Sequence, residues 1–277
     1  MQSTCFDVTI EGKVGHIQLS RPEALNTMIP AFWSDLPALV GELSDRGDVR
    51  AIVISSTGKH FSAGMDLSVF TSSGLSMDGE PGRRNATFML LVKRLQQSFT
   101  ALEQARVPVL AAIQGGCIGG AVDMVCAADM RYASADAYFV IQETNIGMTA
   151  DVGTLQRLPK LIPDGVAREL VYTGRRMSAA RAAEVGLVNQ VFDDHDALVS
   201  GVLEIAAEIA TKSPLTLWGA KEALVYARDH AVSDSLHQIA LWQTGAFQPA
   251  DMMESFAAKG EKRAPDYVDL PPAPNGI

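Results

Sequence analysis

The sequence predicts an α/β fold, because short apolar runs alternate with helical stretches in its first half. Strand-like runs cover residues 6–10, 14–19 and 51–55, and a helical pattern covers residues 31–43. After about residue 161 the pattern is helical almost throughout. Hydrophobic residues make up 47% of the 277-residue chain, which is ample for a buried core.

The middle of the chain continues the alternation. It predicts a helix at residues 84–105, a strand at residues 109–113 and more strand at Tyr132 and residues 138–141. Residues 71–83 are rich in Gly, Ser and acidic residues and contain Pro81. We therefore expect an irregular excursion there, which is a candidate lid beside the site.

The last third of the sequence predicts a series of helices. They are expected at residues 164–172, 178–185, 197–211, 215–228 and 232–244. A Pro-rich tail at residues 265–274 is expected to be extended. The sequence thus predicts a core with the active site over residues 1–195 and a helical region over residues 196–277.

Three acids, Asp123, Glu143 and Asp151, lie in one largely apolar stretch, residues 115–161, that glycines interrupt. A carboxylate removed from water must be paired, hydrogen-bonded or shifted in pKa, so acids in such a stretch need a reason. Neighbouring carboxyls can differ in pKa, so that one accepts a proton while another holds one. The three acids therefore predict catalysis by proton transfer.

The local sequence around the acids supports this prediction. The glycine-rich residues 115–120 predict a turn that opens a short buried helix, with Asp123 one turn in. Glu143 and Asp151 frame a segment that Gly147 breaks, so a loop can fold both carboxyls toward one point.

Each acid taken singly also has a structural alternative, as a helix cap or a buried ion-pair partner. Asp129 is the example in this sequence, because it precedes Arg131 closely and the two predict a structural pair. The catalytic interpretation therefore rests on the set of acids and not on any one of them.

Composition argues against several other chemistries. Cys5, Cys117 and Cys126 form no C-x-x-C pair and have no histidine nearby, which disfavours disulfides and a zinc site. The five histidines lack H-E-x-x-H spacing, and no G-x-S-x-G occurs, which disfavours metalloproteases and ordinary serine hydrolases. A formal net charge of −9 disfavours broad nucleic-acid binding. We expect no metal and no nucleic-acid partner.

The sequence carries no recognisable targeting signal. There is no run of about 18 apolar residues to span a membrane, and no charged and then apolar leader. Residues 273–277 do not form a peroxisomal Ser-Lys-Leu address. These observations predict a cytoplasmic location and no membrane partner.

Two glycine turns are candidates for stabilising a negatively charged oxygen. One covers residues 60–67 after the strand at residues 51–55, and the other is Gly119-Gly120 before Asp123. Backbone N–H groups in such turns stabilise an enolate oxygen without titrating, and a helix N terminus adds a favourable dipole. Either turn alone is a weak signal, because glycine turns after strands are mostly structural.

Together these features resemble the crotonase (enoyl-CoA hydratase/isomerase) superfamily over nearly the entire chain. The motifs that carry the resemblance lie in the family's order at residues 20–26, 61–66, 115–123, 153–159, 173–179 and 254–263. The resemblance implies a spiral core of ββα turns and a C-terminal helical region used in trimer assembly. It also implies a homotrimer, or a homohexamer built from two trimers.

The resemblance further implies roles for individual residues. Ala63 and Gly120 match the family's oxyanion-hole positions, whose N–H groups hold the thioester oxygen of acyl-CoA. Lys262 or Arg263 matches a contact to the coenzyme A phosphates. Further coenzyme A contacts are implied for Arg21, Ala24, Leu25, Ser62, Gly64, Met65 and Asp66. Coenzyme A is part of the substrate, so no separate cofactor is expected.

Within the superfamily, the acids resemble those of the Δ3,5-Δ2,4-dienoyl-CoA isomerases. Hydratases carry Glu at the position of Asp123 and usually Gly at that of Asp151, and this chain departs from both. The resemblance implies that Glu143 and Asp151 form the base/acid pair while Asp123 tunes or positions the site. It leaves open which of the pair takes the first proton. At the position of Ala121, those isomerases carry Gly, so this chain departs from them there.

Three other functions are alternatives to the isomerase. An enoyl-CoA hydratase would add water to a 2-enoyl-CoA, but Asp151 and the shorter Asp123 argue against it. A non-catalytic RNA-binding member would need a basic surface, which the net charge of −9 disfavours. A thioester hydrolase would release coenzyme A. Fatty-acid β-oxidation is the expected pathway, with steroid or ring-derived acyl-CoA as alternatives.

Overall fold

The structure is a computed structural model that describes residues 3–66, 68–71 and 80–274. Strands form the frame of the molecule. They are β1 (Phe6–Glu11), β2 (Val14–Leu19), β3 (Ala51–Ser56), β4 (Val109–Ile113), β5 (Gly116–Ile118), β6 (Met130–Ser134), β7 (Tyr138–Val140), β8 (Met177–Ser178) and β9 (Gln190–Phe192). The excursion predicted at residues 71–83 lies largely outside the described residues, so the lid stays a prediction. The end of the chain, residues 275–277, also lies outside them.

The helices surround this frame. They are α1 (Pro30–Asp45), α2 (Ser68–Thr71), α3 (Pro81–Gln104), α4 (Gly120–Cys126), α5 (Thr154–Leu161), α6 (Asp164–Thr173), α7 (Ala179–Glu184), α8 (His195–Ala210), α9 (Pro214–Asp229), α10 (Val232–Ala246) and α11 (Pro249–Glu261). Single turns of 3-10 helix occur at Pro22–Ala24 and Thr144–Ile146. Within the described ranges, no helix is both long and apolar enough to cross a membrane.

Helix starts follow from the local sequence. Ser178, Asp194 and Ser213 cap α7, α8 and α9, because each side chain accepts the backbone N–H three residues further on. Proline occupies the first turn of α1, α3, α9 and α11, where its missing N–H costs no helical hydrogen bond.

Two sheets carry the strands. The larger sheet has the order β1-β2-β3-β4-β6-β9, in which β1 and β2 are antiparallel and all other neighbours are parallel. The smaller sheet, β5-β7-β8, pairs β5 with β7 in parallel and β7 with β8 antiparallel. Parallel neighbours need crossover connections, which the intervening helices supply.

Both faces of the large sheet are covered by helices. On β3, Ile52 and Ile54 belong to one core cluster, and Ala51 and Val53 belong to a second on the opposite face. The first cluster includes apolar residues of α1, α3 and α4, and the second includes those of α8. A strand that is buried on both faces has a nearly continuous apolar sequence, which is why residues 51–55 were predicted as a strand.

Helix α8 begins at His195, next to the predicted division between residues 195 and 196. Its residues Leu198, Val202 and Ala206 are fully buried in the second core cluster, against the large sheet. Helix α8 therefore belongs to the core that covers the large sheet.

The strands and helices predicted from periodicity are present, with ends within three residues of those predicted. The elements without a prediction are short or irregular in sequence. They are β5, β8, β9, α2, α5, which contains Pro159, and α11. Two or three residues of strand carry too little periodicity to be recognised.

The predicted pairing of Asp129 with Arg131 is wrong. The buried guanidinium of Arg131 donates to the carbonyl oxygens of Leu187 and Ala128, at 2.7 and 2.6 Å. Asp129 instead lies 2.8 Å from the Nζ of Lys221, on α9. This pair joins α9 to the start of β6. The two residues are so far apart in the sequence that no local pattern predicts their contact.

Lys221 offers a test of how α9 is held. Its buried Nζ also donates to the carbonyl oxygens of Leu102 and Val107, at 2.6 and 2.9 Å. Lys221→Met leaves these groups and Asp129 without their partner, so the free energy of unfolding should fall by about 2–4 kcal/mol. Urea denaturation measures this change. The exposed pair of Glu184 with Arg181 is the control, since Glu184→Gln should change stability by less than about 1 kcal/mol. Equal effects of the two substitutions would contradict the assignment.

Candidate active site

Three loops meet at the carboxyl ends of the parallel strands. Isolated β-bridges join Met28 to Met65 and Ser62 to Cys117. The buried Ser62 hydroxyl donates to the Asn26 carbonyl at 2.8 Å and accepts the Gly64 N–H at 3.1 Å. Ser62 was predicted as a coenzyme A contact, and in the structure its side chain is used inside the protein to join two of the loops.

The turn after β2 has an uncommon backbone. Leu25 and Asn26 both have positive φ, 53° and 52°, which is rare for residues other than glycine. The Asn26 side chain stabilises this turn, because it accepts the Arg21 N–H at 2.9 Å and donates to the carbonyls of Thr57 and His60 at 2.8 and 3.0 Å. The turn exposes the Leu25 side chain.

The Ala63 N–H, predicted as an oxyanion-hole donor, is already occupied in the structure. It donates to the Leu25 carbonyl at 3.0 Å. The Met65 N–H, two residues on, has no acceptor within the described part of the chain. The Ala63 N–H is therefore used inside the protein, and the Met65 N–H is the one that an outside acceptor could reach.

The Met65 N–H lies close to that of Gly120. A Cβ added at Gly120 would be 3.9 Å from the Met65 nitrogen. Gly120 is the first residue of α4, so its N–H has no acceptor in the helix. The Gly64 carbonyl accepts from Met28 N–H at 2.8 Å, which fixes the loop before Met65. Two neighbouring N–H groups are thus available to an oxygen atom.

Asp123 lies one turn into α4, as predicted, and is fully buried. Its Oδ1 accepts the Thr154 N–H at 2.5 Å, and its Oδ2 has no partner within the described residues. Burial raises the pKa of Asp123 to about 6, against the lowering effect of Thr154, and the charge of Asp151 adds to the rise.

Glu143 lies immediately before the 3-10 turn at Thr144–Ile146. Its Oε1 is 3.3 Å from the point that a Cβ on Gly119 would occupy, so the carboxyl is next to the Gly120 end of the donor pair. Its Oε2 is buried with no partner among the described residues. Burial, and then the charges of Asp123 and Asp151, raise the pKa of Glu143 to about 7.

Asp151 is partly buried, and burial raises the pKa of its carboxyl. Its backbone carbonyl accepts from Gln96 Nε2 on α3, at 2.7 Å. The charge of Asp151 acts on both Asp123 and Glu143. The structure thus brings the three predicted acids into one electrostatic environment, although they come from α4 and two separate loop positions.

The remaining predicted coenzyme A residues lie near the turn after β2 or at the end of α11. Arg21 Nη1 donates to the Thr27 carbonyl at 2.9 Å, and Ala24 ends the 3-10 turn at Pro22–Ala24. Asp66 accepts from Thr27 Oγ1 at 2.8 Å. Arg21, Ala24 and Asp66 therefore belong to one hydrogen-bonded surface around Leu25.

Lys262 follows α11 in a left-handed conformation, with φ 55°. Its ammonium forms no ion pair with any described residue, whereas Arg263 is paired with Glu254 and Glu261. Of these two predicted phosphate contacts, Lys262 is the one whose charge is available. In the described ranges no cluster of three His, Cys, Asp or Glu residues is placed to hold a metal ion.

These features define the class of protein. Two neighbouring N–H groups lie close to carboxyls whose pKa values are raised by burial, in a fold with helices on both faces of a largely parallel sheet. Such donors stabilise an oxygen that gains negative charge, and such carboxyls accept or release protons near neutral pH. The site suits proton transfer next to a carbonyl group.

The comparison with known families agrees with this class. The sequence pattern of the family described as Enoyl-CoA hydratase/isomerase matches residues 9–270. The chain belongs to this family. A putative enoyl-CoA hydratase from Streptomyces coelicolor A3(2) has the same fold, with a TM-score of 0.87, 27% identity, and coverage of 96% of this chain and 95% of that one. The predicted crotonase-like α/β fold is therefore confirmed.

Two relatives are more similar in sequence. A mitochondrial Delta(3,5)-Delta(2,4)-dienoyl-CoA isomerase from Mus musculus is 43% identical over 250 residues, 90% of this chain and 76% of the relative. A peroxisomal enzyme of the same name from Arabidopsis thaliana is 38% identical over 262 residues, 94% of each chain.

The predicted cytoplasmic location is wrong by this comparison, because these relatives are mitochondrial or peroxisomal. Organelle addresses are read by receptors and leave no trace in the physics of the fold.

Gly64 offers a test of the donor pair. Its φ is +85°, and a Cβ there would lie 2.5 Å from the Ile118 carbonyl oxygen, so Gly64→Ala must move the loop that carries the Met65 N–H. We expect kcat for acyl-CoA turnover to fall by about 10²–10³-fold, as for loss of one oxyanion donor. The control is Gly41→Ala in α1, where an added Cβ meets nothing within 4 Å. Equal kcat in the two variants would contradict the role of this loop.

Proposed function

We propose that this protein is a Δ3,5-Δ2,4-dienoyl-CoA isomerase. The observation that carries the proposal is that Asp151, Asp123 and Glu143 share one electrostatic environment beside two N–H groups that have no acceptor among the described residues. The sequence relatives of the same name add support. The reaction moves two conjugated double bonds of a 3,5-dienoyl-CoA to the 2,4 positions, and the fatty-acid degradation predicted from the sequence is its expected context.

The donor pair explains how the first proton becomes removable. The thioester oxygen binds between the N–H groups of Met65 and Gly120. Loss of a proton from the neighbouring carbon places negative charge on this oxygen, and two fixed donors stabilise that charge without reorganising. The N terminus of α4 adds its favourable dipole at the same point.

The positions of the acids support one assignment of the two proton transfers. Glu143 lies beside Gly119, next to the donor pair, so it is the base that takes the proton from the carbon adjacent to the thioester. Asp151, held from α3, gives a proton to the far end of the diene. Asp123 has one oxygen fixed by Thr154 and adjusts the pKa of Glu143 by its charge.

Coenzyme A is proposed to lie over the turn after β2. Arg21, Ala24 and Leu25 form one side of this surface, and Met65 and Asp66 form the other. Lys262, directly after α11 of the same or a neighbouring subunit, supplies a cation for the phosphates. The reaction moves a proton and leaves the oxidation state unchanged, so we propose that no cofactor is needed beyond the coenzyme A of the substrate.

The helical region is proposed to assemble the protein into a trimer, or a hexamer of two trimers. Large apolar side chains are exposed along α10 and α11, including Leu236 (63% exposed), Leu241 (55%) and Phe256 (61%). An exposed apolar surface of this kind is typical of an interface.

The absorbance of the product gives the direct test of the function. A 2,4-dienoyl-CoA is conjugated with its thioester and absorbs at a longer wavelength than the 3,5-dienoyl-CoA. We expect that absorbance to rise with the dienoyl substrate. A loss of 2-enoyl-CoA absorbance without isomerisation would make the protein a hydratase and overturn the proposal.

Asp151→Asn tests the proposed acid. The amide keeps the shape of the side chain but has no proton to give, so kcat for isomerisation should fall by at least about 10²-fold. Acyl-CoA binding, measured by calorimetry with the product, should change little. The control is Asp164→Asn, at an exposed ion pair with Arg168. Turnover by Asp151→Asn equal to that control would remove Asp151 from the mechanism.

The pH dependence of kcat/KM tests the proposed base. Glu143 must be ionised to accept a proton and its pKa is about 7, so kcat/KM should rise as the pH rises through about 7. In Asp123→Asn a negative charge that raises the pKa of Glu143 is gone, so this rising limb should move to lower pH. Profiles of both proteins from about pH 5 to 9 measure the shift. A limb that stays in place or moves to higher pH would contradict the assignment.

A further inference from the structure

One polar stripe of α3 contacts the segment that carries Asp151. Gln96, Thr100 and Glu103 are spaced along one face of the helix. Gln96 Nε2 donates to the Asp151 carbonyl at 2.7 Å, and Thr100 and Glu103 both contact the side chain of Arg157. The helix thus holds both ends of the segment from Asp151 to Arg157.

Arg157 and Glu103 form the strongest of these contacts. Arg157 Nε and Nη2 donate to the two oxygens of Glu103 at 3.0 and 2.7 Å, which is the bidentate geometry of strong ion pairs. Arg157 is 13% exposed and Glu103 9% exposed, and Arg228 of α9 also pairs with Glu103. Burial alone would raise the pKa of Glu103, but the two guanidinium groups hold it below its usual range.

The guanidinium of Arg157 also lies against the start of α5. A Cβ added at Gly153, where φ is +137°, would be 2.0 Å from Arg157 Nη1. Thr154, the next residue, donates its N–H to Asp123. Glu103 on α3 is therefore connected to the carboxyl of Asp123 through the side chain of Arg157 and the backbone at the start of α5.

We propose that Gln96, Glu103 and Arg157 are positioning residues, which fix the acids Asp123 and Asp151 relative to each other from α3. This inference rests on the proposed isomerase function. Gln96 acts through the Asp151 backbone, and the Glu103–Arg157 pair acts through Gly153 and Thr154. None of the three touches the reacting atoms. Their loss should therefore lower the rate of proton transfer while leaving coenzyme A binding intact.

The test uses Gln96→Leu and Glu103→Gln in the full-length protein. Gln96 is exposed, so its substitution does not threaten folding, and Glu103→Gln keeps the shape of the side chain while removing the charge. We expect kcat on 3,5-dienoyl-CoA to fall by about 10–100-fold in each, since small displacements of catalytic groups have effects of this size. KM, and Kd for the 2,4-dienoyl-CoA product, should each stay within about threefold of the wild-type value. Glu184→Gln is the matched control, because it breaks an exposed ion pair on α7.

A purely structural role gives a different result. The melting temperature of Glu103→Gln would fall while kcat of the folded protein stayed at the wild-type value, and that outcome would overturn the proposal. Unchanged kcat in Gln96→Leu would overturn the part that concerns Asp151. If the wild type shows no isomerisation, the proposed function fails instead. The same variants then test positioning through the hydration of 2-enoyl-CoA, where unchanged kcat again counts against it.

Discussion

The hydrogen bond from the Thr154 N–H to the buried carboxyl of Asp123 is the interaction on which the arrangement of the site depends. It satisfies one oxygen of a fully buried acid, while the other has no partner among the described residues. A buried carboxyl held this incompletely is costly, and its raised pKa expresses that cost. The same charge raises the pKa of Glu143 toward neutrality. A buried carboxyl such as Asp123 would destabilise an ordinary core. Here it brings the pKa of Glu143 close to 7, and acids with shifted pKa values in a cleft are typical of functional sites.

Helix α4 makes this coupling a property of the fold. Its first residue, Gly120, presents an N–H to the donor pair, and Asp123 lies one turn further on the same helix. The position of this N–H group and the position of the buried charge therefore cannot vary independently. Helix α5 meets α4 through Thr154, and α3 holds α5 through Arg157. Three helices on one side of the large sheet thus fix the position of the buried charge.

The sequence was sufficient for the parts of this arrangement that depend on local patterns. Apolar periodicity placed the helices and the main strands, and acids in an apolar stretch identified Asp123, Glu143 and Asp151. What it could not supply are contacts between distant segments. Whether the N–H of Ala63 or Met65 is available depends on the Leu25 carbonyl, which reaches Ala63 only because Leu25 and Asn26 adopt left-handed backbone. The partners of Asp123, Asp129 and Asp151 are likewise far away in sequence, at Thr154, Lys221 and Gln96.

The separate origins of Glu143 and Asp151 favour an isomerase over a hydratase on chemical grounds. Adding water requires both carboxyls to address one molecule next to the double bond. Moving a diene requires proton removal beside the thioester and proton delivery several carbons away. Glu143 lies against the Gly119-Gly120 turn, whereas the Asp151 backbone is fixed to α3 by Gln96. Two acids held by different elements can serve two carbons, and the charge of Asp151 raises the pKa of Glu143, which disfavours both carboxyls being ionised at once. In the proposed mechanism Glu143 gains a proton and Asp151 loses one in each turnover, so the site would return to its starting state by exchanging a single proton and would need no other reactant.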